Sequence, residues 1–308
     1  MIVPKPLGDV QCATQNPMGS CENFTMQKLD QWPLAARRGI TGVLTDIDDT
    51  LTTHGAITPD ALAALAELKA AGLPVIAVTG RPAAWSEPFA LAWPLNAIVA
   101  ENGAVALFCE KILEKASHLH ENGLKPNEYV RKQLSKKYQQ SQQLRHENFA
   151  RMQRVAARVL RDVAGAKLAQ DSAGRETDMA IDHSEFTNLP PKEIADVLRI
   201  MRSEGMTASV SSIHINGWFG THNKLRGARW AVRELLGRDL DLEMAQWAFI
   251  GDSTNDELMF KAFPNSVGVA NVRRFEAQLT HLPRYITQAE RGAGFAEVAR
   301  VVLAAQTA

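Results

Sequence analysis

TDIDDTLTT, residues 45–53, follows directly on the apolar run Gly42-Val43-Leu44. A strand places residues i and i+2 on one side. Asp46 and Asp48 therefore point the same way at the end of a buried strand. A strand that is apolar and then abruptly acidic has left the core and reached an edge. In open α/β sheets, ligands sit outside the carboxyl ends of the strands. The two carboxylates thus face a site mouth, and Asp49 and Thr50 thicken the acid cluster. Read alone, the stretch also suits a surface turn, because Asp and Thr favour turns and caps. Three further stretches decide between the two.

Working outward, Thr58 and Pro59 suit the cap and first position of a helix. Leu62, Leu65 and Leu68 form its apolar stripe, and Gly72 closes it. The run Val75-Ile76-Ala77-Val78 ends in Thr79-Gly80-Arg81, and Ala97-Ile98-Val99-Ala100 ends in Glu101-Asn102-Gly103. Strand, helix, strand, crossover and strand is the order of a parallel sheet with right-handed crossovers. Near Phe108 the order changes. Residues 110–165 read as helices, with a strongly polar stretch at 132–145. Strands are predicted at 167–170, 177–181 and 208–215, and a helix at 191–204 with Ile194, Val197, Leu198 and Met201 at helical spacing. The parallel order resumes with a helix at 224–236 closed by Gly237. A strand at 248–250 runs into Gly251-Asp252, and a helix at 256–262 follows. Short strands at 266–269 and 285–287 and a terminal helix at 293–304 complete the chain.

The expected fold is α/β: a Rossmann-like core with a parallel sheet in two parts, 26–108 and 222–308. An α+β domain at 109–221 is inserted between them. Residues 1–25, with Pro4, Pro6, Gly8, Pro17 and Gly19, read as a poorly ordered tail, and Met26 offers an alternative start.

The 308 residues suit two compact units, and 45% apolar content is ordinary for a globular protein. A formal net charge of +0 gives no global attraction to nucleic acid or an anionic membrane. No apolar run is long enough to cross a bilayer, and the N-terminus lacks the layout of a signal peptide. The three cysteines, Cys12, Cys21 and Cys109, have no metal-ligand spacing and read as reduced cytoplasmic thiols.

The second acid pair lies in GDSTNDELMF, residues 251–260, with Asp252 and Asp256 four apart. Alone, it suits a strand-to-helix turn capped by Asp and Ser. If it converges with Asp46 and Asp48, four carboxylates repel one another and require a cation. Hard oxygen ligands with few or no His and Cys suit Mg²⁺, held by a couple of carboxylates plus a phosphate. Lys224 taken alone is a solvated helix residue, and Thr79 alone is unremarkable.

Together the four pieces, DIDDT at 46–50, Thr79 in VTGR, Lys224, and GDSTND at 251–256, resemble in order and spacing the motifs of the haloacid dehalogenase superfamily of phosphohydrolases. The long insertion, ENGA at 101–104 and SVGVAN at 266–271 look like subfamily IIB, the Cof-like, sucrose-phosphate and mannosyl-3-phosphoglycerate phosphatases. The resemblance covers about residues 40–305. It implies Asp46 as nucleophile, forming an aspartyl phosphate, and Asp48 as general acid and then base. It implies Mg²⁺ on Asp46, the Asp48 main-chain carbonyl and Asp252, with Asn255 or Asp256 completing or orienting the shell. Thr79, Gly80 and Lys224 would hold the phosphoryl group, with Arg81 a further anchor.

The inserted domain, by the same resemblance, is a cap that closes over the site. Its candidate substrate-reading residues are Arg175, Asp178, Ser211, Ser212, His214 and Asn216. The i, i+2 spacing of Ser212, His214 and Asn216 suits recognition of sugar hydroxyls, and equally an ordinary solvated sheet face. The implied activity is a cytoplasmic, Mg²⁺-dependent phosphatase acting on a small phosphate ester, with sugar phosphates first. Two other readings fit the same motifs: a phosphomutase of the phosphomannomutase type, and a catalytically idle ligand-binding relative.

Overall fold

The computed structural model describes residues 25–115 and 128–307. The tail expected at 1–25 lies outside them except for Thr25. The first part of the chain forms β1 (Gln27–Lys28), α1 (Leu34–Arg38), β2 (Gly42–Thr45), the small hairpin β3 (Thr52–Thr53) and β4 (Ala56–Ile57), α2 (Pro59–Ala70), β5 (Val75–Val78), α3 (Ala83–Ala92), β6 (Ala97–Ala100), β7 (Val105–Lys115) and β8 (Glu128–Tyr138). The middle forms α4 (Gln142–Asp162), β9 (Lys167–Leu168), β10 (Met179–Asp182), α5 (Pro191–Ser203), β11 (Thr207–Val210) and β12 (His214–Trp218). The last part forms α6 (Lys224–Leu236), β13 (Trp247–Gly251), α7 (Glu257–Ala262), β14 (Asn265–Gly268), β15 (Tyr285–Ile286) and α8 (Arg291–Gln306).

Nine strands make one sheet in the order β1-β15-β14-β13-β2-β5-β6-β7-β8. Pairing is parallel from β1 to β6 and antiparallel for β6–β7 and β7–β8. The chain leaves β2 toward β5 and β6, then returns to place β13 on the other side of β2. The order therefore reverses between β2 and β13, which is where an open α/β sheet leaves a crevice for a ligand. The central strands are buried on both faces, as their continuous apolar runs require. Val43, Val75, Ala77 and Ile98 pack on one side with Leu65 and Leu68 of α2 and Val298 and Val302 of α8. Leu44, Ile76, Val78 and Val99 pack on the other with Ala228, Ala231 and Val232 of α6.

A second, four-stranded sheet, β11-β12-β10-β9, is antiparallel throughout. Its core joins Ile181 and Ile215 to Met152, Val155 and Val159 of α4 and Val197 and Met201 of α5.

Several expectations are corrected. Of the helices expected across 110–165, the described residues hold α4; 110–115 and 128–138 belong to β7 and β8, which extend the main sheet, and 116–127 lie outside the described residues. Position 109, the expected start of the inserted block, thus lies inside β7. The polar stretch at 132–145 is divided: 132–138 belong to β8, where Lys and Gln suit an edge strand that must not recruit another, and 142–145 open α4. The strand expected at 208–215 is a hairpin: Ser211 N–H donates to the His214 carbonyl at 2.8 Å, and the Ser211 hydroxyl accepts from His214 N–H at 3.0 Å. In α2, Leu62 is exposed, and Ala61, Ala64, Leu65 and Leu68 form the buried face. Thr58 holds the cap position of α2 but makes no side-chain capping bond.

One close approach fixes the start of α6. Gly103 sits at φ +106°, and a Cβ on it would collide with the Asn223 backbone; a Cβ on Gly227 would collide with Gly103. Two glycines let the first turn of α6 rest on the turn after β6, and this turn carries Lys224.

Candidate active site

Asp46 is the first residue past β2, and its N–H donates to the Ile250 carbonyl of β13 at 2.8 Å. The backbone of the two switch-point strands therefore sets where its carboxylate starts. Lys224 opens α6, whose cap residue Asn223 accepts from Arg226 N–H at 2.9 Å. Lys224 Nζ reaches Asp46 Oδ1 at 2.6 Å, Asp256 Oδ1 at 2.8 Å and Asn255 Oδ1 at 3.2 Å. Asp256 Oδ2 takes the N–H groups of Asp252 at 3.0 Å and Ser253 at 3.3 Å. Both Asp256 oxygens are thus engaged by protein donors. Asn271 donates to Asp252 Oδ2 at 3.0 Å and to the Asp49 carbonyl at 3.0 Å. Asp252 Oδ1 is buried and has no partner among the described residues.

The charges do not balance without help. Asp46, Asp252 and Asp256 are all buried and bring one oxygen each within 4.8 Å of the others. Burial, with Asp256 and Asp48 nearby, outweighs Lys224 and pushes the Asp46 carboxyl up to about 7. Burial, with Asp46 and Asp256 beside it, drives the Asp252 carboxyl well above its ordinary range. Lys224 is shifted upward: its burial is outweighed by Asp256 and Asp46. A buried, unpartnered carboxylate oxygen between like charges is the donor set of a hard divalent cation.

The loop after β5 forms the second wall. Thr79 is fully buried, and its hydroxyl accepts from Arg81 N–H at 3.0 Å. The Arg81 guanidinium is shared by three carboxylates. Its Nε lies 2.9 and 3.1 Å from the two oxygens of Asp48, while Asp171 at 3.3 Å and Glu185 at 2.9 Å come from the second sheet's loops. Those partners outweigh burial and shift Arg81 upward. Arg175 donates to the Gly80 carbonyl at 2.9 Å and to Asp178 at 2.8 Å, and Asn216 donates to the same carbonyl and to Asp178, each at 3.3 Å. Asn102 joins Asp178 at 3.1 Å. Glu101 accepts from Ala83 N–H at 2.9 Å and from Glu176 N–H at 3.0 Å, so it ties the two sheets together. Burial, with Asp178 nearby, lifts it to about 7.

The structure therefore brings Asp46, Asp48, Thr79, Gly80, Arg81, Lys224, Asp252, Asn255 and Asp256 to one place. Arg175, Asp178 and Asn216 reach the same wall and buttress the Gly80 loop, and Asn216 also lines the gap beside Asp46. Ser211 and Ser212 lie in the β11–β12 turn at the mouth. His214 shares a strand face with Asn216 and holds Glu185 through Nε2 at 2.7 Å. Asp171, Glu185 and Asn271 touch the site without having been singled out. Asn271 lies within SVGVAN, but Asp171 and Glu185 sit in loops where no period marks them. Asp182 fixes the Glu185 loop by accepting from Glu185 and Phe186 N–H, each at 2.9 Å.

The gap between Asp46, Asn255 and the β11–β12 turn is about 10 Å³, room for roughly one water. Thr254 closes it further, donating to the Val210 carbonyl at 2.8 Å. As it stands, the gap is far smaller than a phosphoryl group. Burial raises the Glu185 carboxyl, but His214 and Arg81 prevail and hold it at about 2, below its ordinary 4.5. A depressed carboxyl contributes stability that is complete above pH 4.5 and lost as pH falls toward 2. Glu185→Gln is expected to flatten that limb of the thermal-unfolding curve against pH. Superimposable wild-type and variant curves would show that the Glu185 pairs with Arg81 and His214 do not stabilise the folded state.

These features define an α/β protein with a carboxylate–ammonium site at the switch point of its sheet. The chain belongs to the haloacid dehalogenase-like hydrolases, whose family pattern matches residues 43–298. Solved structures share its fold. A Thermoplasma acidophilum protein has TM-score 0.58 at 16% identity, covering 85% of this chain and 98% of that one. A HAD/COF-like hydrolase from Plasmodium vivax has TM-score 0.57 at 14% identity, covering 88% and 99%. The sucrose-phosphatase of Synechocystis, solved with sucrose and phosphate, has TM-score 0.56 at 15% identity, covering 85% and 97%. No curated protein sequence matches the chain. Among the described residues, no helix is long and apolar enough to cross a membrane.

Proposed function

We propose that this hydrolase is a cytoplasmic, Mg²⁺-dependent phosphatase of a small phosphate ester, sugar phosphates first. The observation that carries the reading is Asp46: a buried carboxylate at the switch point, gripped by Lys224 and beside the unpartnered oxygen of Asp252. Asp46 and Asp252 would hold the metal with the Asp48 main-chain carbonyl. Asn255 and Asp256 orient that shell, Asp256 because its oxygens are both committed. When bound, Mg²⁺ supplies charge that screens the anionic nucleophile from the anionic phosphate.

Asp46 attacks phosphorus; the bond from phosphorus to the leaving oxygen breaks, and Asp48 delivers a proton to that oxygen. Water then attacks the aspartyl phosphate, Asp48 takes its proton, and phosphate leaves. Lys224 and Thr79 hold phosphoryl oxygens. Arg81, 2.9 and 3.1 Å from the two oxygens of Asp48, fixes the position of that carboxyl group for this role. The second sheet with α4 and α5, about residues 139–221, acts as the cap. The neighbouring sucrose-phosphatase supports a sugar phosphate as the first class to test.

The test is phosphate release from a panel of phosphorylated metabolites with Mg²⁺ and with EDTA. Metal-dependent release is the expected result. Release unaffected by EDTA would sink the metal assignment. Isomer exchange without free phosphate would replace the phosphatase by a mutase.

A further inference from the structure

Five described non-glycine residues have left-handed backbone: Asp49, His54, Glu101, Asn102 and Arg291. Such conformations are strained for non-glycine side chains and cluster where a site over-determines them. Glu101 and Asn102 belong to the tie between the two sheets. Of the other three, Asp49 and His54 belong to one stretch of chain flanking β3, and Arg291, at the start of α8, meets them. Arg291 Nε lies 2.8 Å from Asp49 Oδ1 as an ion pair, and Nη1 lies 3.4 Å from His54 Nε2. Together they line a cleft of about 370 Å³ that begins at Asp48 and Arg81 and runs outward past Glu185 and Phe186. Its size is that of a small-molecule pocket, unlike the closed gap beneath β12.

Arg291 is held in place from both sides. Its N–H donates to Asn271 Oδ1 at 3.0 Å, and Asn271 is the residue that also holds Asp252. Gly292 packs against Thr58, where a Cβ would collide with its hydroxyl. The guanidinium itself is under-used. Of its five N–H donors, one faces His54 and the Nε is paired in charge with Asp49. The cleft's other carboxylates, Asp48 and Glu185, are committed to Arg81. A fixed, incompletely matched guanidinium at the first residue of a helix, facing a cleft, suits a planar anion.

We propose that Arg291, with His54 beside it, forms a subsite for an acidic group on the leaving side of the substrate. The preferred ester is then a phosphorylated hydroxy acid rather than a neutral sugar phosphate. The phosphate takes Asp46 and Lys224, the ester oxygen lies at Asp48, and the leaving group extends along the cleft to place its carboxylate on Arg291. This rests on the phosphatase reading for which end is the phosphate, but the subsite can be tested without turnover.

The experiment compares matched pairs: 6-phosphogluconate with glucose 6-phosphate, and 3-phosphoglycerate with glycerol 3-phosphate. It uses the full chain and Arg291→Asn, since Asn tolerates left-handed backbone and thermal unfolding verifies the fold. The expected wild-type KM is about tenfold lower for the acid of each pair. Arg291→Asn should erase that difference while changing the neutral substrate by less than about twofold. Calorimetric binding of gluconate, lost in Arg291→Asn, is the second readout. Gluconate binding that requires Arg291, without turnover of any ester, would keep the subsite and overturn the phosphatase. Turnover with equal KM within both pairs, or equal losses on acid and neutral substrates in the variant, would overturn the subsite.

Discussion

Asp46→Asn is expected to lower phosphate release at least about 10⁴-fold with the fold intact. The amide keeps the shape of the carboxylate but cannot donate an electron pair to phosphorus as an anion. Structurally the exchange is close to balanced. The wild-type carboxyl is already disfavoured as an anion, by burial and by Asp256 and Asp48, to the point of rising to about 7. Asn removes that repulsion and takes one partner from Lys224, which keeps Asp256 and Asn255. The thermal midpoint should therefore stay within about 4 °C of wild type. Phosphate release and thermal unfolding on the same preparation check both halves. A variant that turns over within tenfold of wild type would show that another group attacks. A variant that unfolds instead would make Asp46 a structural partner of Lys224 first.

The residues that carry this expectation were legible in the sequence because each closes a buried strand or opens a helix. Short apolar runs fix β2, β5, β6 and β13, and a polar residue at the end of each is then at the rim. Asp46, Thr79 and Asp252 follow from that rule, and Lys224 from the helix beginning behind Asn223. What was not legible depends on partners distant in sequence. β8 reads as a polar helix because an edge strand with one ladder partner has no reason to be apolar. The β11–β12 hairpin reads as one strand because its turn, Ser-Ser-Ile, lacks glycine and asparagine; the Ser211 hydroxyl supplies the closing bond instead. Arg175 and Asn216 look like free polar groups until Asp178 and the Gly80 carbonyl are seen against them. Glu185 sits in a loop and Arg291 at the first position of α8, where neither alternation nor helical spacing indicates direction.

Lys224→Met should be the most damaging single change to stability, and it probes the metal site without any substrate. Methionine retains the stem's volume and apolar contacts but removes the ammonium. Asp46, Asp252 and Asp256 would then share a buried space with no protein cation among their immediate partners. Stripping one partner from a buried ion pair costs about 3–5 kcal/mol. Protonation of the carboxylates relieves part of this, which places the expected loss near the lower end, about 3 kcal/mol. A divalent cation relieves more. It binds the folded state, where the acids converge, and not the unfolded chain, where they are dispersed. Its stabilisation grows as RT ln(1 + [Mg²⁺]/Kd), about 2.7 kcal/mol at a hundredfold excess over Kd. Urea unfolding of wild type and Lys224→Met, each with Mg²⁺ and with EDTA, separates the contributions. The expected pattern is a large loss in EDTA and substantial recovery in Mg²⁺ for the variant. Phosphate release should stay impaired in both, since the phosphoryl oxygens lose Lys224. A loss below about 1 kcal/mol, or one that Mg²⁺ leaves unchanged, would mean that the three acids do not need a cation to coexist. The buried, unpartnered Asp252 oxygen would then be a defect of packing rather than a ligand.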